Sequence, residues 1–158
     1  MRIIYCLLLS LIVMNAHAQK TPTRFAHTET TTAEASRIWE IWTKVDQWYT
    51  WDTGLKSAQL NGPFVLGAKG KLKPDKGPSA RFKIVALDPG KSYTFKTKLP
   101  FGGLFVKRTL ETTDKGTLFT HEVWFEGLTK NVFARKFGPR YQEMLPLVMR
   151  TIKTIAEQ

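Results

Sequence analysis

Apolar and polar residues alternate along this chain in three successive rhythms. "RFAHTETT" (Arg24–Thr31) alternates weakly and predicts a first strand. Thr31-Thr32-Ala33-Glu34 has the S/T-x-x-E form of a capping box and predicts the start of a helix. Ala35, Ile38, Trp39, Trp42 and Val45 then recur at helical spacing on one face, with Glu34, Arg37, Glu40 and Lys44 away from it. Glu40 and Lys44 are spaced for an i,i+4 ion pair. A short second helix or turn follows, bringing Trp48 and Trp51 to one side.

From Lys56 the period becomes two. Lys56–Gly62, Ala68–Pro74, Ala80–Asp88, Lys91–Pro100, Gly103–Thr113 and Gly116–Gly127 are separated by Asn-Gly-Pro, Lys-Gly-Pro, Asp-Pro-Gly, Phe-Gly-Gly and Asp-Lys-Gly. Short segments joined by such turn chemistry predict antiparallel strands in succession. Helical spacing returns after Leu128. Gly138-Pro139 predicts a break or restart, with Pro139 tolerated as a first helical residue. Beyond it Tyr141, Met144, Leu145, Val148, Met149, Ile152 and Ile155 share a face, and Pro146 predicts a kink. The class is α+β. One long amphipathic helix must bury its stripe, and the sheet is the large apolar surface available to it.

Faces follow from the Asp114-Lys115-Gly116 turn. A two-residue loop there sets Thr112 opposite Phe119, Leu110 opposite His121, Arg108 opposite Val123 and Val106 opposite Phe125. These mostly apolar pairs are the better inward face. Lys107 opposite Trp124 and Phe105 opposite Glu126 would then lie outside, with a cation–π patch among Phe105, Lys107 and Trp124. The same alternation turns Phe82, Ile84, Tyr93 and Phe95 inward, and Arg81, Lys83, Lys96 and Lys98 outward.

The N-terminus changes the compartment. Arg2, an apolar run from Ile3 to Met14, and Ala16-His17-Ala18 have the layout of a secretory signal peptide. The run is shorter than the roughly 20 residues a membrane span needs. Cleavage is expected before Gln19, leaving residues 19–158 as a single exported domain, periplasmic or secreted. The one cysteine, Cys6, leaves with the leader, so the working chain offers no disulfide, thiol nucleophile or thiolate metal site. The net charge is +11 for the whole chain and one less after loss of Arg2. It suits anionic partners, and an exported protein meets an anionic lipid surface more readily than nucleic acid.

Four tryptophans crowd into Trp39–Trp51: core, a base-stacking platform, or a cavity wall. A platform needs aromatics exposed on a basic groove, whereas these share a face with Ile38 and Val45, so no nucleic acid is expected. Trp39 and Trp42 are expected as core, and Trp48 and Trp51 where the short helices close one end of the sheet. Arg108 and His121 stand out as inward polar groups among Val, Leu and Phe, which is costly unless they are paired. They are either a handle for the carboxylate, phosphate or enolate oxygen of an amphiphile, or a structural pair satisfied by a backbone carbonyl or by a helix residue such as Glu143 or Tyr141. If the protein is an enzyme, His121 is the general acid/base, aided by Arg108 and by Tyr93 or Tyr141. There is no G-x-S-x-G elbow, no phosphate-binding glycine loop and no Cys pattern for a metal. No cofactor or metal is expected. Leu99–Phe105 is apolar yet falls in a turn; it is expected to fold over a cavity mouth, or to act as a lid or dip into a membrane surface.

Three motifs in order, "IWEIWTKVDQWYTWD" (Ile38–Asp52), "GPFVLGAKGKLKP" (Gly62–Pro74) and "GTLFTHEVWFEG" (Gly116–Gly127), resemble the START-like (SRPBCC) superfamily, in its bacterial polyketide cyclase/dehydrase-like branch. The likeness runs from about Phe25 to Glu157. It implies a helix-grip fold, a seven-stranded curved sheet around the C-terminal helix, with an apolar cavity between them. The expected lining is Trp48, Trp51, Phe82, Tyr93, Phe95, Leu104, Arg108, Leu110, His121 and Val123 from the first helices and the sheet, and Tyr141, Met144, Leu145 and Val148 from the tail. The expected function is binding, with or without transport, of a hydrophobic or amphipathic small molecule. A cyclase or dehydratase in the same pocket and a surface adaptor for anionic lipid are the alternatives.

Overall fold

Each run of period-two residues becomes a strand, and β1 (Arg24–Thr31) closes the sheet against the last of them. The computed structural model describes residues 22–158, so the expected leader lies outside the described residues. After β1 come α1 (Ala35–Thr43) and a 3-10 turn (Val45–Thr50). The strands β2 (Leu55–Leu60), β3 (Lys69–Pro74), β4 (Ala80–Asp88), β5 (Ser92–Leu99), β6 (Gly102–Thr113) and β7 (Gly116–Gly127) follow, and α2 (Lys130–Ala156) ends the chain. The antiparallel sheet has the order β1-β7-β6-β5-β4-β3-β2.

Local sequence rules are overridden at four places by contacts from elsewhere in the chain. The capping box does not form, because Thr31 is the last residue of β1 and its hydroxyl donates to Glu157 Oε1 at 2.8 Å. Glu34 becomes the N-cap residue without a side-chain cap. The Thr32 backbone N–H also donates to Glu157, at 3.2 Å, so the end of β1 is tied to the end of α2. These hydrogen bonds, Thr31's foremost, hold the Glu157 carboxyl below its ordinary pKa.

The second place is Gly138-Pro139, where the expected break is absent and α2 continues through both prolines. Gly138 lies so close to the Phe25 ring that a Cβ there would sit 2.5 Å from Phe25 Cζ. One turn on, Tyr141 stacks on the same ring, with centroids 6.3 Å apart. This close docking on β1 holds the helix together where each proline has removed a backbone donor.

Third, the β6–β7 hairpin keeps its two-residue loop but closes on Thr113 and Gly116. The Thr113 hydroxyl donates to the Gly116 carbonyl at 2.9 Å and accepts from the Lys115 N–H at 3.3 Å. Arg108 therefore faces His121, and Leu110 faces Phe119, two residues from the expected register. A shift of two leaves every side chain on its expected face.

Fourth, the Leu99–Phe105 turn splits. Leu99 and Leu104 pack against the core while Phe101 is exposed. Outside, Phe105 stacks on Trp124 at 5.2 Å, but the cations over this pair are Lys96 and Arg24 rather than Lys107, whose cross-strand neighbour is Glu122.

The core has two parts. Leu145, Val148, Met149 and Ile152 of α2 are buried, and this helix packs chiefly on β1 and β7. Over β4 and β5 the cover is the 3-10 turn, whose Trp48 packs on Phe82 at 5.6 Å and on Phe95 at 5.3 Å. Ile38, Trp42, Trp48 and Trp51 are almost fully buried, each contributing on the order of 2 kcal/mol of hydrophobic stabilisation. The expected ion pair between Glu40 and Lys44 forms at 2.5 Å on the exposed side of α1.

Candidate functional site

Alternation along β6 and β7 carries two basic side chains into the apolar interior. Arg108 is 1% exposed and His121 2%. The Arg108 guanidinium carbon lies 4.6 Å from the Trp48 ring centroid and 4.7 Å from that of Trp51. Tyr93 and Phe95 complete the box at 5.5 and 5.8 Å. Cation–π attraction is strongest where water is excluded, as it is here.

Hydrogen bonding within the box is incomplete. Arg108 Nη1 donates to the Tyr93 hydroxyl, which in turn donates to the Trp42 carbonyl at 3.2 Å. Trp48 Nε1 donates to the same carbonyl at 2.8 Å. Arg108 Nε, His121 Nδ1, Trp42 Nε1, Trp51 Nε1 and Thr97 Oγ1 are buried without a partner among the described residues. Among the described residues no carboxylate comes within 4.0 Å of the guanidinium. The structural pairing expected with Glu143 or Tyr141 is therefore not made. Unpaired polar groups of this kind are rare in native interiors, because each costs its full desolvation.

The electrostatics follow from burial. Desolvation, then the nearby Arg108 charge, holds the His121 pKa well below the ordinary 6.5, so its ring is neutral. Desolvation raises Tyr93 to about 12 against an opposing pull from Arg108. Asp52 is also buried, its Oδ1 accepting from the Gly54 N–H at 3.0 Å. Its carboxyl is pushed up by desolvation, and Arg108 lowers it in part. Burial raises Tyr141 as well, with the Asp52 charge adding to the effect. A cation without a counter-ion, a neutral imidazole and a phenol thus share one water-poor volume. Such a set can donate hydrogen bonds to an oxyanion and exchange a proton with it.

The expected lining residues divide between two places. Trp48, Trp51, Phe82, Tyr93, Phe95, Arg108 and His121 come together around the box, with Leu110 and Val123 buried alongside. On α2, Leu145 and Val148 are buried, Tyr141 lies between Phe25 and Phe125, and Met144 meets Gly54. Leu104 is half-buried.

Two of the hollows among the described residues bear on the site. One, of about 60 Å3, is bordered by Arg37, Glu40, Lys44, Gln47 and Trp51. The other, a cleft of about 260 Å3, runs between β1 and α2 past Phe25, His27, Gln142, Leu145 and Pro146. Beneath the 3-10 turn, Trp48, Phe82 and Phe95 pack on one another.

Sequence reasoning missed Asp52, although an acid ending a tryptophan-rich run was a legible signal. It also missed Phe64, whose ring meets Tyr93 edge-on at 4.9 Å. His27 carried no signal, since its place beside His121 depends on the β1–β7 register.

A seven-stranded antiparallel sheet gripping a long C-terminal helix defines the START-like helix-grip class. Solved structures agree. Ginseng major latex-like protein 151 from Panax ginseng aligns at TM-score 0.69 and 19% identity, over 85% of this chain and 97% of that one. The protein MLL2253 from Mesorhizobium loti aligns at 0.65 and 15%, over 84% and 95%. The di-domain aromatase/cyclase StfQ of the steffimycin biosynthetic pathway aligns at 0.68 and 14%, over 85% of this chain; the chain spans 50% of StfQ's length. The chain belongs to the family of polyketide cyclases/dehydrases and lipid transport proteins, whose model matches residues 22–148. A comparison with curated proteins finds no match.

Proposed function

We propose that this protein binds a hydrophobic or amphipathic small molecule between the sheet and α2, with Arg108 holding an oxygen-bearing anionic head group. One observation carries the reading: a guanidinium closed off from solvent has an unpartnered Nε and no carboxylate within ion-pair distance. Such a group is costly to bury and gains most from an oxyanion delivered into the box. Membership in a family described by cyclisation, dehydration and lipid transport supports a ligand of this kind.

The cleft between β1 and α2 is the way in. Its volume of about 260 Å3 is close to the lower end of small-molecule pockets, about 300 Å3. It is bordered by His27, whose cross-strand neighbour is His121. Pro146 borders the cleft and leaves α2 one backbone hydrogen bond short there, a local weak point in the helix at the mouth.

A second reading, cyclase or dehydratase chemistry, is favoured by the neutral His121 beside Arg108, a general base next to an oxyanion holder. In both readings the protein works outside the cytoplasm after removal of residues 1–18. Native mass spectrometry, with solvent extraction, of protein isolated from its own periplasmic fraction tests the binding. A retained organic anion and an N-terminus at Gln19 are expected. A bare polypeptide mass, together with no uptake of fatty-acid or aromatic polyketide probes, overturns the binding reading. Turnover of a probe that His121→Ala abolishes would decide for the enzyme.

A further inference from the structure

One end of the molecule presents bare apolar side chains that the fold does not use. Phe101, in the β5–β6 turn, is 79% exposed, Leu128, between β7 and α2, is 89% exposed, and Val132, in the first turn of α2, is 61% exposed. They are brought together by specific contacts. The Leu128 N–H donates to the Phe101 carbonyl at 3.0 Å, and the Thr129 hydroxyl donates to the Pro100 carbonyl at 2.6 Å. Gly102 and Gly127 pair directly beneath.

Phe101 has φ 54, the left-handed region, and is the one non-glycine residue with positive φ among those described. An aromatic residue is a poor choice there, since glycine or asparagine takes that conformation with less strain. The strain aims a large ring into solvent, where it packs on nothing that would compensate.

The surroundings are cationic. Around the β5–β6 turn, Lys96 to Phe105 contains Lys96 and Lys98 and no Asp or Glu, and Lys130 to Phe137 at the start of α2 contains Lys130, Arg135 and Lys136 and no acid. Lys98 and Lys130 are exposed at the rim. Glu126 is the acid beside the tip, and its carboxylate accepts from Trp124 Nε1 at 2.7 Å on the outer face.

We propose that the tip formed by Phe101, Leu128 and Val132 docks the protein on an anionic phospholipid bilayer. The three side chains enter the interface while Lys98 and Lys130 meet the lipid phosphates. Three protruding side chains offer too little area for a stable protein partner, for which a standard interface buries about 1,600 Å2. A few apolar residues ringed by cations suit the boundary between head groups and acyl chains. This does not depend on the interior box or on any ligand there.

The test uses full-length protein carrying Cys6→Ser, with an environment-sensitive dye on Leu128→Cys or, as a control, on Lys115→Cys in the β6–β7 turn at the other end of the strands. Each is titrated with vesicles of phosphatidylcholine and phosphatidylglycerol and with vesicles of phosphatidylcholine alone. A blue shift at residue 128, absent at residue 115, confined to the mixed vesicles and reversed by salt, is expected. The dye reads its own surroundings, so lipid contact by the N-terminal apolar run does not register at residue 128. Phe101→Gly with Leu128→Ser should weaken association with mixed vesicles at least tenfold without lowering the thermal midpoint, because glycine suits the backbone at 101. No shift, an equal shift at residue 115, undiminished vesicle binding by the double variant, or tighter binding to single-stranded DNA than to mixed vesicles overturns the proposal.

Discussion

Arg108 and His121 stand directly opposite each other in the β6–β7 ladder, both closed off from solvent and neither, among the described residues, facing a carboxylate within ion-pair distance. The arrangement is tolerable because the imidazole is neutral. A second positive charge there would be repelled by the first in a volume with little water to screen it.

Stability should therefore depend on pH through His121. The folded protein favours the neutral ring, so between its depressed pKa and the ordinary 6.5 it is the unfolded chain that holds the extra proton. The contribution of His121 is complete above about pH 6.5 and is lost as pH falls below that, by up to about 1.4 kcal/mol per pH unit. Asp52 acts in the opposite sense. Its raised pKa makes the protonated carboxyl a folded-state preference that fades as pH rises from 3.8 through the folded value. Urea unfolding between pH 4 and 8 should show the wild type losing stability relative to His121→Leu below pH 6.5. Parallel pH profiles would refute the buried neutral imidazole.

The parts of the fold carried by a strict period were legible in the sequence. Alternation placed Tyr93, Phe95, Arg108 and His121 on the inner face, and that assignment survived a register error of two because the period of a strand is two. What was not legible depends on contacts between distant residues. Thr31 reads as a helix cap until Glu157 comes to it from the other end of the chain. Gly138-Pro139 reads as a break until the Phe25 ring closes on it. The interior volume was least legible, since it is set by how far Trp48 and Trp51 reach toward Arg108, which a polarity pattern does not encode.

The Gly138–Phe25 contact predicts an inverted response to a helix-favouring substitution. Gly138→Ala gains about 1 kcal/mol of helix propensity, but its Cβ would meet a buried ring held by Tyr141. Overpacking of this kind costs about 1–3 kcal/mol, so a net loss is expected. With Phe25→Leu in place the same alanine should be neutral or stabilising. Denaturant melts of both single variants and the double variant measure this coupling, and additivity would remove the steric account of the helix–strand contact.

Charge on the convex face predicts a salt response. Lys69 pairs with Lys83 across β3–β4, and Lys83 pairs with Lys96 across β4–β5, a row of like charges on one face. Like charges directly opposite are destabilising, by several tenths of a kcal/mol per pair. The thermal midpoint should rise as salt is added, and Lys83→Glu should stabilise by about 0.5–1 kcal/mol at low ionic strength. The gain should vanish near 1 M salt, where the screening length is about 3 Å. A stabilisation that persists there would have to come from something other than this row.

Arg108 separates function from stability most sharply. A residue kept for the fold should lower stability when replaced, but a buried charge exchanged for an apolar side chain of similar length often leaves a protein as stable or more so, by about 1–4 kcal/mol. In Arg108→Met the Tyr93 hydroxyl keeps its bond to the Trp42 carbonyl, and the thioether fits among the Trp48, Trp51 and Phe95 rings. Urea and thermal unfolding should therefore show no loss of stability, while affinity for a carboxylate-bearing amphiphile falls at least tenfold and affinity for an uncharged analogue of the same shape does not. If Arg108→Met unfolds more easily and binds both probes as the wild type does, the arginine is a structural element, and the anchor must be sought in the cleft beside His27.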